Sequence, residues 1–227
     1  GQRLTYGEAT QTEKPHTHKP NGEAGDQVWT AWDPQTTKTL DDGYYYLVRN
    51  YDDLKAITVT GDAHLCLNGH EMSDNGRDAD FITVNRDASL TICDCSVGKT
   101  GTINYKCTTG YAIVNNGALT LSSGEIYSKG GNGINIANIG GSNVKFDMEG
   151  GTIDVGGTGI LFNVGKKEVD EVNINGGTLT YGGQTGVLFG AEGKLTVSGG
   201  TIQPRDDGAW RSRGISKTYP GDLYVTG

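Results

Sequence analysis

Three ladders of short apolar triplets, each recurring about every 25 residues and all in phase, constrain this chain more than any other feature of its sequence. The first runs Leu65-Cys66-Leu67, Leu90-Thr91-Ile92, Leu119-Thr120-Leu121, Phe146-Asp147-Met148, Val172-Asn173-Ile174, Leu195-Thr196-Val197 and Leu223-Tyr224-Val225. The second runs Gly101-Thr102-Ile103, Gly124-Glu125-Ile126, Gly151-Thr152-Ile153, Gly177-Thr178-Leu179 and Gly200-Thr201-Ile202. The third reads Ile82-Thr83-Val84, Ala112-Ile113-Val114, Ile134-Asn135-Ile136, Ile160-Leu161-Phe162, Val187-Leu188-Phe189 and Ile215-Ser216-Lys217. Alternation at period two turns the outer members of a triplet inward and the middle member outward. Three short strands per period cannot bury an apolar face alone, but stacked coils can. The pattern predicts an all-β, right-handed parallel β-helix of six to seven coils with an N-terminal cap. Leucine-rich and antiparallel-sandwich patterns are not sustained.

Composition agrees where it bears on this. Glycine is abundant, 37 of 227 residues, as expected of a chain that turns sharply at regular intervals. The net charge of -8 gives no basic footprint for nucleic acid. No apolar run is long enough to insert in a membrane.

Residues 1–40 lack the ladders and read as a polar segment and cap, with Trp29 and Trp32 covering the first rung; residues 41–227 read as the solenoid. The chain stops within a repeat, at an edge that further coils are expected to cover. His16 and His18 offer two metal ligands, but no third stands near them in sequence, so no metal or other cofactor is expected. Cys66, Cys93, Cys95 and Cys107 allow three pairings as two disulfides; a bridge such as Cys95 to Cys107 stays open, and the CxxC pairs of a zinc site are missing.

The segment Leu65-Cys66-Leu67-Asn68-Gly69-His70 and the Gly-Gly-Thr-Ile repeats after it resemble the β-helix domains of large cell-wall-attached or secreted proteins of gut Firmicutes. The resemblance spans residues 40 to 227. It implies an extracellular, adhesin-like module, with similarity to immunoglobulin-binding superantigen proteins of gut Lachnospiraceae, and a host protein such as an immunoglobulin or mucosal glycoprotein as partner. A scaffold of this kind carries no chemistry by itself.

Catalytic groups are sparse. A glycoside hydrolase needs two carboxylates flanking the bond, and a calcium-dependent lyase needs clustered acids. Among the outward positions of the first two ladders only Asp147 and Glu125 are acidic, while Asp74, Asp78 and Asp80 and the stretch from Lys166 to Glu171 read as turns. A noncatalytic binding module is therefore expected, with a polysaccharide lyase or hydrolase as the alternative and a passive stalk as the third reading. Two places suit a protein partner: an outward apolar stripe of Ile113, Leu161 and Leu188, and a loop carrying Arg205, Trp210, Arg211 and Arg213. Tyr127 and Tyr181, read as lying in turns beyond the second ladder, keep a glycan ligand open.

Overall fold

The structure, a computed structural model, describes residues 15–77, 79–137, 144–162, 170–189, 193–205, 212–218 and 221–226. Among the described residues the strands form three parallel sheets of nine, seven and eight strands, visited in strict rotation from Gly43–Leu47 onward. The first sheet runs from Thr30–Trp32 and Gly43–Leu47 through Asp62–Cys66 and Ser89–Cys93 to Asp222–Val225. The second runs from Tyr51–Leu54 and Glu71–Asp74 to Thr201–Pro204, and the third from Thr39–Leu40 and Ile57–Val59 to Arg213–Lys217. This is the parallel β-helix that the ladders predict. Regular pairing begins early, since Thr30–Trp32 already lie in parallel against Tyr45–Leu47.

The core is one continuous column of aliphatic and aromatic side chains from all three sheets. Leu119 stacks between Leu90 and Phe146, Ile126 between Ile103 and Ile153, and Ile134 between Ile113 and Ile160. Backbone hydrogen bonds run between coils, so each coil supplies its neighbour with both an apolar surface and polar partners. Phe162 and Phe189 meet edge to face, with ring centroids 4.8 Å apart.

Two registers differ from the sequence reading. In the first sheet, the triplet that stacks on Leu90-Thr91-Ile92 is Ala63-His64-Leu65, not Leu65-Cys66-Leu67. Cys66 comes one step later, opposite Cys93, and Leu67 is buried at the following corner. In the third sheet Ile113 aligns with Ile82 and Ile134 and is fully buried in the core, so it does not belong to the outward stripe. Val114 takes the outward position, and Asn115 takes the inward one beside Val84 and Ile136. The polar inward residue is satisfied locally: its Nδ2 donates to the Lys145 carbonyl at 2.8 Å and its Oδ1 accepts from Gly117 N at 3.1 Å.

The corner between the first and second sheets is built on glycine in the later coils. Gly177 and Gly200 sit at φ of 79° and 81°, where L side chains are strained. A Cβ on Gly177 would also lie 2.6 Å from the Gly151 carbonyl oxygen one coil back. Three residues fill this corner after Leu121, Met148, Ile174 and Val197, whereas the corner after Ile92 is enlarged and carries Asp94 to Gly101. The buried Asp94 carboxylate holds that enlargement together, accepting from Gly69 N at 2.9 Å, Ser96 N at 2.8 Å and Gly101 N.

Candidate functional site

The enlarged corner delivers Cys95 to the outer flank of the first sheet, beside the outward Cys66 of the preceding coil. The amino-terminal segment reaches the same place. Residues 16–29 fold back on themselves, with an antiparallel bridge between Thr17 and Val28 and hydrogen bonds from His18 N to Gln27 O and from Trp29 N to His16 O. Trp29 is buried on this flank against Cys66 and Cys93, apart from the main core, while Trp32 is in the core itself. Trp29 also donates from Nε1 to the His18 carbonyl at 2.9 Å.

This fold-back brings one ligand atom each from His16, His18, Cys66 and Cys95 within 4.8 Å of one another. Cys95 Sγ lies 3.6 Å from His16 Nε2 and donates to Asn68 Oδ1 at 3.5 Å. Both imidazoles are held by aromatic rings: His16 stacks on Tyr46 at 4.1 Å and His18 on Trp29 at 4.0 Å. His18 is 3% exposed, and its Nδ1 lies 2.6 Å from the Lys19 carbonyl, which can only accept, so Nδ1 carries the proton. Its Nε2 is therefore a lone pair, and it is buried without a hydrogen-bond partner.

The electrostatics favour neutral donors. Burial pulls both histidines below their usual range, helped at His16 by His18. The adjoining Cys93 thiol and burial push Cys66 up, and burial pushes Cys95 up to about 12. None of the four cysteines is in a disulfide, and Cys107 turns instead to Thr109, with 3.4 Å between Sγ and Oγ1. The third and fourth donor atoms that the sequence does not place beside His16 and His18 come close to them in space from two cysteines of successive coils.

The outer flank of the second sheet is the other concentration of functional groups. Its four middle strands, from Thr102–Tyr105 to Thr178–Tyr181, alternate inward and outward, and the register sets up two outward columns, one through Glu71, Thr102 and Glu125, the other through Ser73, Asn104, Tyr127 and Asp154. The acids are tied to other coils. Asn104 Nδ2 donates to Glu71 Oε1 at 2.9 Å, Thr102 Oγ1 to Glu125 Oε2 at 3.3 Å, and Arg205 Nε to Asp154 Oδ1 at 2.7 Å. Burial, reinforced by the nearby Asp154 and Glu71 carboxylates, raises Glu125 above the usual carboxyl range against the pull of its Thr102 hydrogen bond. Glu125, solitary in the ladder reading, has Glu71 two coils before it in its own column, ahead of the first Gly-Thr-Ile triplet, and Asp154 in the second outward column, which the triplets do not describe.

Other expected site residues fall in different places. Arg205 is engaged, its remaining nitrogens donating to the Lys129 and Ser128 carbonyls at 3.1 and 3.0 Å and its guanidinium 5.7 Å from the Tyr127 ring centroid. Arg213 is exposed on the last strand of the third sheet. Tyr127 lies within a strand, outward and half-buried, rather than in a turn. Tyr181 is also within a strand but points inward and is 2% exposed, which removes it as a ligand platform. Leu161 and Leu188 are in register on the outward side of the third sheet, half-buried, in line with Val114 and Asn135. Trp210 and Arg211, Asp78, and Lys166 to Val169 lie outside the described residues.

No family model, no curated protein and no solved structure matches this chain.

Proposed function

We propose that the chain is a noncatalytic, extracellular binding module that presents the outer flank of the second sheet to a host protein. One observation carries this reading: the acidic groups of that flank are each held by a hydrogen bond or ion pair to another coil, around the outward Tyr127. Such a face is ordered before it meets a partner, so little side-chain entropy is lost on binding. Among the described residues of its two outward columns, Glu71, Glu125 and Asp154 outnumber the guanidinium of Arg205 that reaches them, and an acidic face with a central aromatic suits a partner surface rich in basic side chains. Immunoglobulins and mucosal glycoproteins are the partners that the resemblance suggests.

The test is binding of the domain to immobilised immunoglobulin and mucosal glycoprotein, compared with Tyr127→Ala and Glu71→Gln variants. The reading expects about tenfold weaker binding for Tyr127→Ala, the size of a moderate hot spot, and weakening of wild-type binding as salt is raised. Unchanged affinity in both variants overturns the choice of face. Binding that survives proteolysis of the partner but not its deglycosylation overturns the choice of a protein ligand.

One observation favours a second reading. Glu125, whose carboxyl burial raises above the ordinary range, stands near the ion-paired Asp154, and a pair of carboxyl groups is what a glycoside hydrolase uses. Reducing-sugar release from a polysaccharide panel, abolished by Glu125→Gln, would replace the noncatalytic reading with this one.

A further inference from the structure

We propose that His16, His18, Cys66 and Cys95 form a closed, four-ligand structural site for zinc that fastens the amino-terminal segment to the flank of the solenoid. Two imidazole nitrogens and two thiol sulfurs are the donor set that tetrahedral zinc takes in structural sites. A zinc ion with bonds of roughly 2.0–2.3 Å sets ligand atoms roughly 3.3–3.8 Å apart. The 3.6 Å between Cys95 Sγ and His16 Nε2 already meets that spacing, and the 4.8 Å span of the whole set lies about 1 Å outside it.

The surroundings point to a ligand independently of the cluster. His18 Nε2 is a buried lone pair with nothing to receive, a costly arrangement for a folded chain unless something fills it. Its tautomer is fixed by the Nδ1 contact to the Lys19 carbonyl, the second-shell arrangement that metal-bound histidines use to aim the other nitrogen. Stacking on Tyr46 and Trp29 fixes both ring planes.

Four protein ligands leave no coordination position for water or substrate, so the role is architectural. Two ligands come from a segment outside the three sheets and two from successive coils, and the bound ion therefore ties residues 16–29 to the solenoid. Zinc binds as the divalent ion and the two thiols each release a proton to solvent, so the occupied site is neutral. This inference is independent of the partner-binding reading, which concerns a different sheet.

The protein, purified under reducing conditions, loaded with zinc and desalted, should retain one zinc per chain by elemental analysis. Cobalt(II) in place of zinc should give the intense visible bands of a tetrahedral ion and a thiolate-to-cobalt charge-transfer band. His16→Ala and Cys95→Ser should each weaken metal binding about 100-fold or more, while Cys107→Ser retains it. Hydrogen exchange on the wild-type protein gives a readout that does not depend on a variant folding: chelation should speed exchange at the His18 and Trp29 amides at least about tenfold, leaving the sheet amides of 118–128 unchanged. No retained zinc, a cobalt spectrum of an octahedral oxygen-ligated ion, or a Cys66–Cys95 disulfide in the reduced preparation would each overturn the proposal.

Discussion

Arg205 binds Asp154 from two coils away, Nε to Oδ1 at 2.7 Å, while its other nitrogens cap the backbone carbonyls of Ser128 and Lys129 one coil further on. One side chain thus spans four rungs of the second sheet. Coils in a solenoid normally contact only their neighbours, and this clamp adds a longer-range tie. Arg205→Ala should cost about 1–3 kcal/mol in urea unfolding, the range for hydrogen bonds to charged groups. Arg205→Lys should recover little of it, because an ammonium cannot hold three acceptors in the planar fork of a guanidinium. Arg213→Ala, at an exposed position, should stay within about 0.5 kcal/mol of wild type.

Glu125 should make stability fall as pH rises. Its folded-state carboxyl is raised above the ordinary value of 4.5, so the folded protein holds a proton that the unfolded chain has released. Stability is then greatest below the ordinary value and declines as pH passes through the folded-state value; above that the full cost of burying the charge is felt. Glu125→Gln keeps an acceptor for Thr102 and removes the charge. It should be more stable than wild type at pH 7 and indistinguishable from it below pH of about 4, measured by denaturant unfolding at each pH.

The corner glycines separate strain from crowding. Gly76 has φ of 68°, but a Cβ there would meet nothing closer than Lys106 Cβ at 3.7 Å, so Gly76→Ala should cost about 1–2 kcal/mol, the left-handed penalty alone. Gly177→Ala adds a backbone clash at 2.6 Å and should cost clearly more. Thermal unfolding of the pair reads the difference.

The corrected register of the third sheet can be tested the same way. Ile113→Ala should cost about 2–5 kcal/mol as a core truncation, whereas Val114→Thr, at the outward position next to it, should cost far less. The reverse order would restore the original reading.

Why the ladders revealed the coils but misplaced two of them follows from particular residues. Ala63 is small and looks like no core residue, while Leu67 is apolar but sits at a corner, so Leu65-Cys66-Leu67 imitates a rung two positions late. At the third sheet, Ala112-Ile113-Val114 is apolar throughout, and the inward place after Val114 is held by Asn115, whose polarity hides it. The cluster of His16, His18, Cys66 and Cys95 was harder to see because its ligands are paired by coil geometry, not by local spacing. Cys66 and Cys95 are adjacent only through stacking, and the segment carrying His16 and His18 reaches them by folding back over the flank. The usable signal was parity: Cys66 and Cys93 fall on outward positions of adjoining coils, with Cys95 in the corner that follows, a poor place for thiols unless something covers them. The second-sheet flank was half legible, since the Gly-Thr-Ile triplets mark one outward column and are silent on the column of Asn104, Tyr127 and Asp154.

The stacked glycines at one corner impose a rule of evolution and of engineering on this scaffold. From Gly151 onward each of these turns is pressed against a carbonyl of the turn before it, so a residue added there would unseat its neighbours, unlike the enlarged corner of Asp94 to Gly101 earlier on the same edge. In these later coils chain length varies instead at the other two edges, between Ile136 and Lys145 against Phe189 and Gly193 from the third sheet to the first, and between Tyr181 and Thr185 against Pro204 and Arg213 from the second to the third. Foreign peptides grafted between those pairs should leave the solenoid standing, which gives the later coils one constant seam and two variable margins.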